Sequence, residues 1–152
     1  MDSMGHPMTR QIVFHGWLSL SMLASVVAIG FSAIVTHSPA FAAGYALVVV
    51  AGTVVVLVAF CAKCPCWDAA CRHIIFGPLA SLLTRRTEGK HSLSDILFTT
   101  VALVAIVVYP QMWLVRSTGL SIAFWLLSVI LLIEIRRNVC RRCDNRHCHF
   151  CR

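Results

Sequence analysis

Four long apolar runs constrain this chain more than any other feature. They cover Ile12–Thr36, Ala42–Phe60, Ile96–Val115 and Leu120–Ile135; the first three carry no formal charge and the fourth only Glu134, in its last turn. A helix rises about 1.5 Å per residue, so about 20 apolar residues match the roughly 30 Å of hydrocarbon in a bilayer. The triplets Val48-Val49-Val50 and Val54-Val55-Val56 would suit a strand in water. In hydrocarbon every backbone group must be satisfied within the segment, and that favours a helix. Composition agrees: 59% of residues are hydrophobic and 12% charged, against about a quarter charged in soluble domains. The expected fold is a single all-α integral membrane domain over residues 1–152. It has four transmembrane helices in two antiparallel hairpins and a small cytoplasmic cysteine-rich cap.

The connections sharpen this plan. His37-Ser-Pro-Ala40-Phe-Ala42-Ala43 contains an A-x-A pattern, so the first run has a rival reading as a secretory signal cleaved after Ala42. Signal cores extend to about 15 apolar residues and this run is longer, which favours a retained helix. In the loop 61–91, Gly77-Pro78 can open a short helix with Pro in its first turn. Leu79, Leu82 and Leu83 then share a face and Arg85 and Arg86 close it, the pattern of a helix lying on a membrane surface. Ser92-Leu-Ser-Asp95 has the form of a capping box ahead of the third run. Pro110 is expected to kink or end that run. The turn Arg116-Ser-Thr-Gly119 is short enough to pair spans three and four as a hairpin. Glu134 can reach Arg137 three residues on.

Charge sets the orientation. Of thirteen Lys and Arg, all but Arg116 fall on the side that holds both ends of the chain and the central loop. The positive-inside rule places that side in the cytoplasm, in a plasma or bacterial inner membrane. The formal net charge of +7 is thereby explained by topology and anionic lipid headgroups, without nucleic acid.

All eight cysteines lie in two stretches on this same side: Cys61, Cys64, Cys66 and Cys71 after span two, and Cys140, Cys143, Cys148 and Cys151 in the tail 136–152. A reducing compartment disfavours structural disulfides and favours metal binding or redox chemistry. In a C-x-x-C turn both sulfurs can face one ion, and tetrahedral zinc is usually built from two such pairs. Cys61/Cys64 and Cys140/Cys143 each follow a span directly and so can share a site, leaving Cys66/Cys71 and Cys148/Cys151 for a second. His73, His147 and His149 are possible substitutes, and closure of the four tail cysteines on themselves is the alternative pairing. Neighbouring Arg and Lys favour the thiolate form. Zinc is the first expectation and an iron–sulfur cluster the second, since the tail reads C-x2-C-x4-C-x2-C rather than the ferredoxin run. Juxtamembrane acylation is the simpler competing use.

Cys140-x-x-Cys143 followed by His147-Cys148-His-Phe-Cys151 is similar to part of the zinc-binding region of DHHC palmitoyltransferases, which also have four spans. The likeness covers about a dozen terminal residues, and the catalytic Asp-His-His-Cys is missing, so it does not carry the activity over. The layout also resembles small mercuric-ion transporters in architecture alone.

Other polar residues have modest readings. His15 is expected to be an interfacial anchor, with a ligand or quinone contact as the alternative. Trp17, Trp67 and Trp113 fit interfacial belts, whereas Trp125 is expected to pack inside. Ser21-x-x-x-Ser25 and Gly44 suggest close helix approach. Thr53, Thr99 and Thr100 are expected to bond back to their own helices. No charge lies within a span core, which argues against a proton-coupled pump. No Ser/His/Asp set, P-loop or Gly-rich nucleotide motif is present. These features point to a non-enzymatic protein in the bilayer: a metal-stabilised cap that docks a protein partner on the cytoplasmic face as an accessory subunit. The alternatives are a thiol or iron–sulfur redox protein coupled to a quinone, and a soft-metal-ion handling protein.

Overall fold

A computed structural model describes residues 10–63, 76–83 and 91–140. Among these the chain is all-helical. Helix α1 spans Arg10–Val35, α2 Pro39–Ala59, α3 Phe76–Leu83, α4 Leu93–Val108, α5 Gln111–Leu114 and α6 Thr118–Glu134. A 3-10 turn, Cys61–Lys63, continues α2, and a π-helical turn, Ile135–Val139, continues α6. Four stretches, Val13–Val35, Pro39–Lys63, Leu93–Leu114 and Thr118–Val139, are long and apolar enough to cross a membrane. They match the four runs read from the sequence.

Local chemistry sets the boundaries. Pro39 opens α2 in its first turn, where a missing N–H costs nothing. The A-x-A segment accordingly lies inside α2, with Ala42 buried. The capping box forms as expected. The Ser92 hydroxyl accepts from the Asp95 amide at 3.2 Å, and the Ser92 amide donates to the Asp95 carboxylate at 2.7 Å. Pro110 ends the third run as a continuous helix: α4 stops at Val108, and the chain resumes as α5 on the Pro110 carbonyl. The short helix foreseen at Gly77-Pro78 is α3, which starts one residue earlier and packs on α2 and the 3-10 turn. Within α3, Ala80 is buried while Leu82 and Leu83 are exposed.

The helices pack in the order α4–α2–α1–α6. The first hairpin, α1 with α2, closes as expected. The second opens: α4 lies on α2 and α6 lies on α1, and the two do not pack along their lengths. The cause is the Pro110 break, which inserts α5 against α1 and α6 and so separates the two long helices. Two apolar clusters hold the bundle. One joins Val26 and Ala33 of α1 to Leu114 and Phe124, with Val107 of α4 against it; the other joins Ile34 to Ala42 and Tyr45. An aromatic ladder reinforces the second: Tyr45 stacks on Tyr109 at 5.6 Å and Tyr109 on Trp113 at 5.9 Å.

Close approach is provided by glycine. A methyl group at Gly30 would stand 2.9 Å from the Tyr45 hydroxyl, and one at Gly52 would stand 2.8 Å from Cδ1 of Ile106. Gly44 faces the Tyr109 hydroxyl in the same way, at 2.7 Å, as its small size suggested. Ser21 and Ser25 do not line an interface; both are exposed and bond back to Leu18 and Ser21 carbonyls. Trp125 also departs from expectation: it is 48% exposed, and its neighbour Phe124 takes the interior position. One step along a helix is about 100°, so only one of two adjacent rings can face inward.

Candidate functional site at the cysteine-bearing end

The chain alternates direction through its four long helices, so the ends of α2 and α6 and the starts of α1 and α4 share one end of the bundle. Both cysteine stretches begin there. Cys61 sits half-buried in the 3-10 turn directly after α2, and Cys140 is buried directly after the π-helical turn of α6. Cys64, Cys66, Cys71, Cys143, Cys148 and Cys151, with His73, His147 and His149, lie outside the described residues. Among the described residues no three His, Cys, Asp or Glu side chains converge into a metal-binding group. The structure thus fixes where each cysteine stretch starts.

Two polar bridges anchor this end. Lys63, inside the first cysteine stretch, donates its ammonium to the Asp95 carboxylate. Asp95 therefore serves two roles, closing the N-terminus of α4 and pinning the end of α2 beside it. The ring of Phe60 stacks on His91 at 4.2 Å along the same seam. The two partners lie 32 positions apart in the sequence.

The second bridge joins α1 to α6. His15 Nδ1 lies 2.5 Å from Glu134 Oε1, and Asn138 Nδ2 donates to Glu134 Oε2 at 2.7 Å. This corrects two expectations. His15 is not a simple anchor but one end of an interhelical hydrogen bond to Glu134. Glu134 turns to His15 and Asn138, while Arg137 points outward, exposed. Asn138 is four residues on from Glu134, the spacing of same-face neighbours on a helix, so it reaches the carboxylate, and the π-helical turn packs on α1 with Val139 buried.

Three hydroxyls qualify the reading of the spans. Thr53 and Thr100 bond back to Val49 and Ile96 carbonyls at 2.8 Å, as expected. Thr99 does not: it is buried with its hydroxyl unpartnered, and Ser19 and Tyr45 hydroxyls share that condition.

The fold and site thus define a class: among the described residues, an all-helical protein with four span-length helices and a polar, cysteine-bearing end. Comparison with family models, with curated proteins and with solved structures gives no match.

Proposed function

We propose that this is a multi-pass membrane protein whose cytoplasmic end carries a cysteine-ligated metal cap, with zinc as the ion. In this reading the cap docks a protein partner and the protein serves as an accessory subunit of a membrane complex. The supporting observation is the placement of Cys61 and Cys140: each follows its span directly, and both spans end at the same end of the bundle. On this reading Cys61/Cys64 and Cys140/Cys143 supply the two C-x-x-C pairs that one tetrahedral ion needs. The Lys63–Asp95 and His15–Glu134 bridges support it by fixing the roots of both stretches. A short loop and tail cannot build a core of their own, and a metal supplies the missing cross-link. The excess of Lys and Arg on this side supports a cytoplasmic placement.

Paired removal of cysteines tests the shared site. Cys61→Ser with Cys64→Ser, and Cys140→Ser with Cys143→Ser, should each release the same one equivalent of metal, and the four-fold variant should release no more than either pair. Release confined to the tail pair would replace the shared site with local closure of the tail. An impermeant thiol reagent applied to sealed, oriented vesicles tests the placement, since a cysteine introduced at Ser117 should react only from the face opposite the native cysteines.

A further inference from the structure

The His15–Glu134–Asn138 bridge does more than join two helices. A carboxylate can only accept hydrogen bonds. The 2.5 Å contact therefore puts the hydrogen on His15 Nδ1, while Asn138 occupies the other carboxylate oxygen. In the neutral ring the lone pair is then on Nε2, which makes no hydrogen bond among the described residues. A carboxylate that orients one ring nitrogen and leaves the other open is how histidines are prepared to act on a third group. The side chains of His15 and Glu134 are 23% and 14% exposed, so the site is sheltered but reachable. No third His, Cys or acidic group converges there among the described residues. The open nitrogen can hold a hydroxyl. Phe14, 62% exposed, stands edge-on to the imidazole at 5.6 Å and 75° and offers an exposed aromatic ring next to the histidine.

We propose that His15 Nε2 accepts a hydrogen bond from the hydroxyl headgroup of a membrane-resident aromatic diol, of the hydroquinone class, bound beside Phe14 at the end of α1. The inference rests on the bilayer placement proposed above and is independent of the metal cap. His15 lies near the start of α1 and Glu134 at the end of α6, so in that placement both belong at the bilayer interface, where amphiphile headgroups sit.

The bridge gives the test a signature that a structural role alone would not produce. In Glu134→Gln, Asn138 still donates to the side-chain oxygen, so the amide NH2 faces His15 Nδ1. The proton must then move to Nε2, turning an acceptor into a donor. Binding of a short-chain hydroquinone, its dimethyl ether and the matching quinone would be measured in nanodiscs. The protein would first be shown to resist alkaline carbonate extraction, so that failure of the bilayer placement is recognised separately. The wild-type chain should bind the hydroquinone about three- to tenfold more tightly than the ether, the worth of one hydrogen bond. Glu134→Gln should prefer the quinone carbonyl instead, and His15→Gln should lose the difference between hydroquinone and ether. Nitrogen-15 spectra of labelled histidine should show His15 protonated at Nδ1 in the wild type and at Nε2 in Glu134→Gln. Equal binding of hydroquinone and ether by the wild type, an unchanged preference in either variant, or equally tight binding of a glycerolipid hydroxyl would overturn the proposal.

Discussion

Substituting alanine at the glycines tests the packing in both sign and order. At Gly30 the new methyl group would lie 2.9 Å from the Tyr45 hydroxyl, 3.2 Å from its Cζ and 3.3 Å from Cβ of Pro110. None of these can give way easily. Tyr45 is fully buried and stacked on Tyr109, and Pro110 is part of the break that positions α5. Overpacking of this kind costs about 1–3 kcal/mol. Alanine returns up to about 1 kcal/mol of helix propensity, so Gly30→Ala should be net destabilising by about 1–2 kcal/mol. At Gly52 the close atom is Cδ1 of Ile106, the end of a rotatable side chain, and the next two lie at 3.5 and 3.7 Å. The methyl can be accommodated there, and Gly52→Ala should stay within about 0.5 kcal/mol of the parent. Gly119 meets nothing within 4 Å, so Gly119→Ala should be neutral or stabilising by up to about 1 kcal/mol. Reversible unfolding in mixed micelles with increasing SDS, followed by circular dichroism, would rank the three. Gly30→Ala as stable as Gly119→Ala would refute the tight α1–α2–α5 contact.

Other substitutions probe single interactions. Asp95→Asn removes the Lys63 bridge and weakens the cap of α4 together, and should cost about 1–2 kcal/mol in the same unfolding assay, whereas Ser94→Ala should cost little. Thr99→Val removes a buried hydroxyl that has no partner and should be neutral or stabilising by about 1 kcal/mol, read against Thr100→Val as the exposed control. Phe124→Ala should cost about 3 kcal/mol or more, while Trp125→Ala should stay within about 0.5 kcal/mol; the reverse order would mean that α6 is rotated from the orientation described.

These contrasts separate what could be read from the sequence from what could not. The four span-length helices were legible because each is a long run with few polar breaks, and the Ser92–Asp95 box and the Pro110 break were legible because their causes are local. Which face of a helix turns inward was not. In a chain this apolar the outer faces are as hydrophobic as the inner ones, so periodicity could not tell Trp125 from Phe124. Small residues gave the same ambiguity, since Ser21-x-x-x-Ser25 has the spacing of an interface and Gly30 has the partner. The polar bridges were hidden by distance: His15 and Glu134 lie 119 positions apart. Helical spacing allows both Arg137 at three residues and Asn138 at four, and only the structure shows that Asn138 takes the carboxylate. For the metal cap, Cys61 and Cys140 stand where span ends predicted, and the other six cysteines lie outside the described residues.

The central claim is the cysteine-ligated metal. Elemental analysis of the protein purified in mild detergent, with a thiol count in denaturant, tests it most directly. The account predicts one or two zinc per chain, with the eight thiols reacting only after chelation. Metal-free protein with all eight thiols immediately reactive would contradict it.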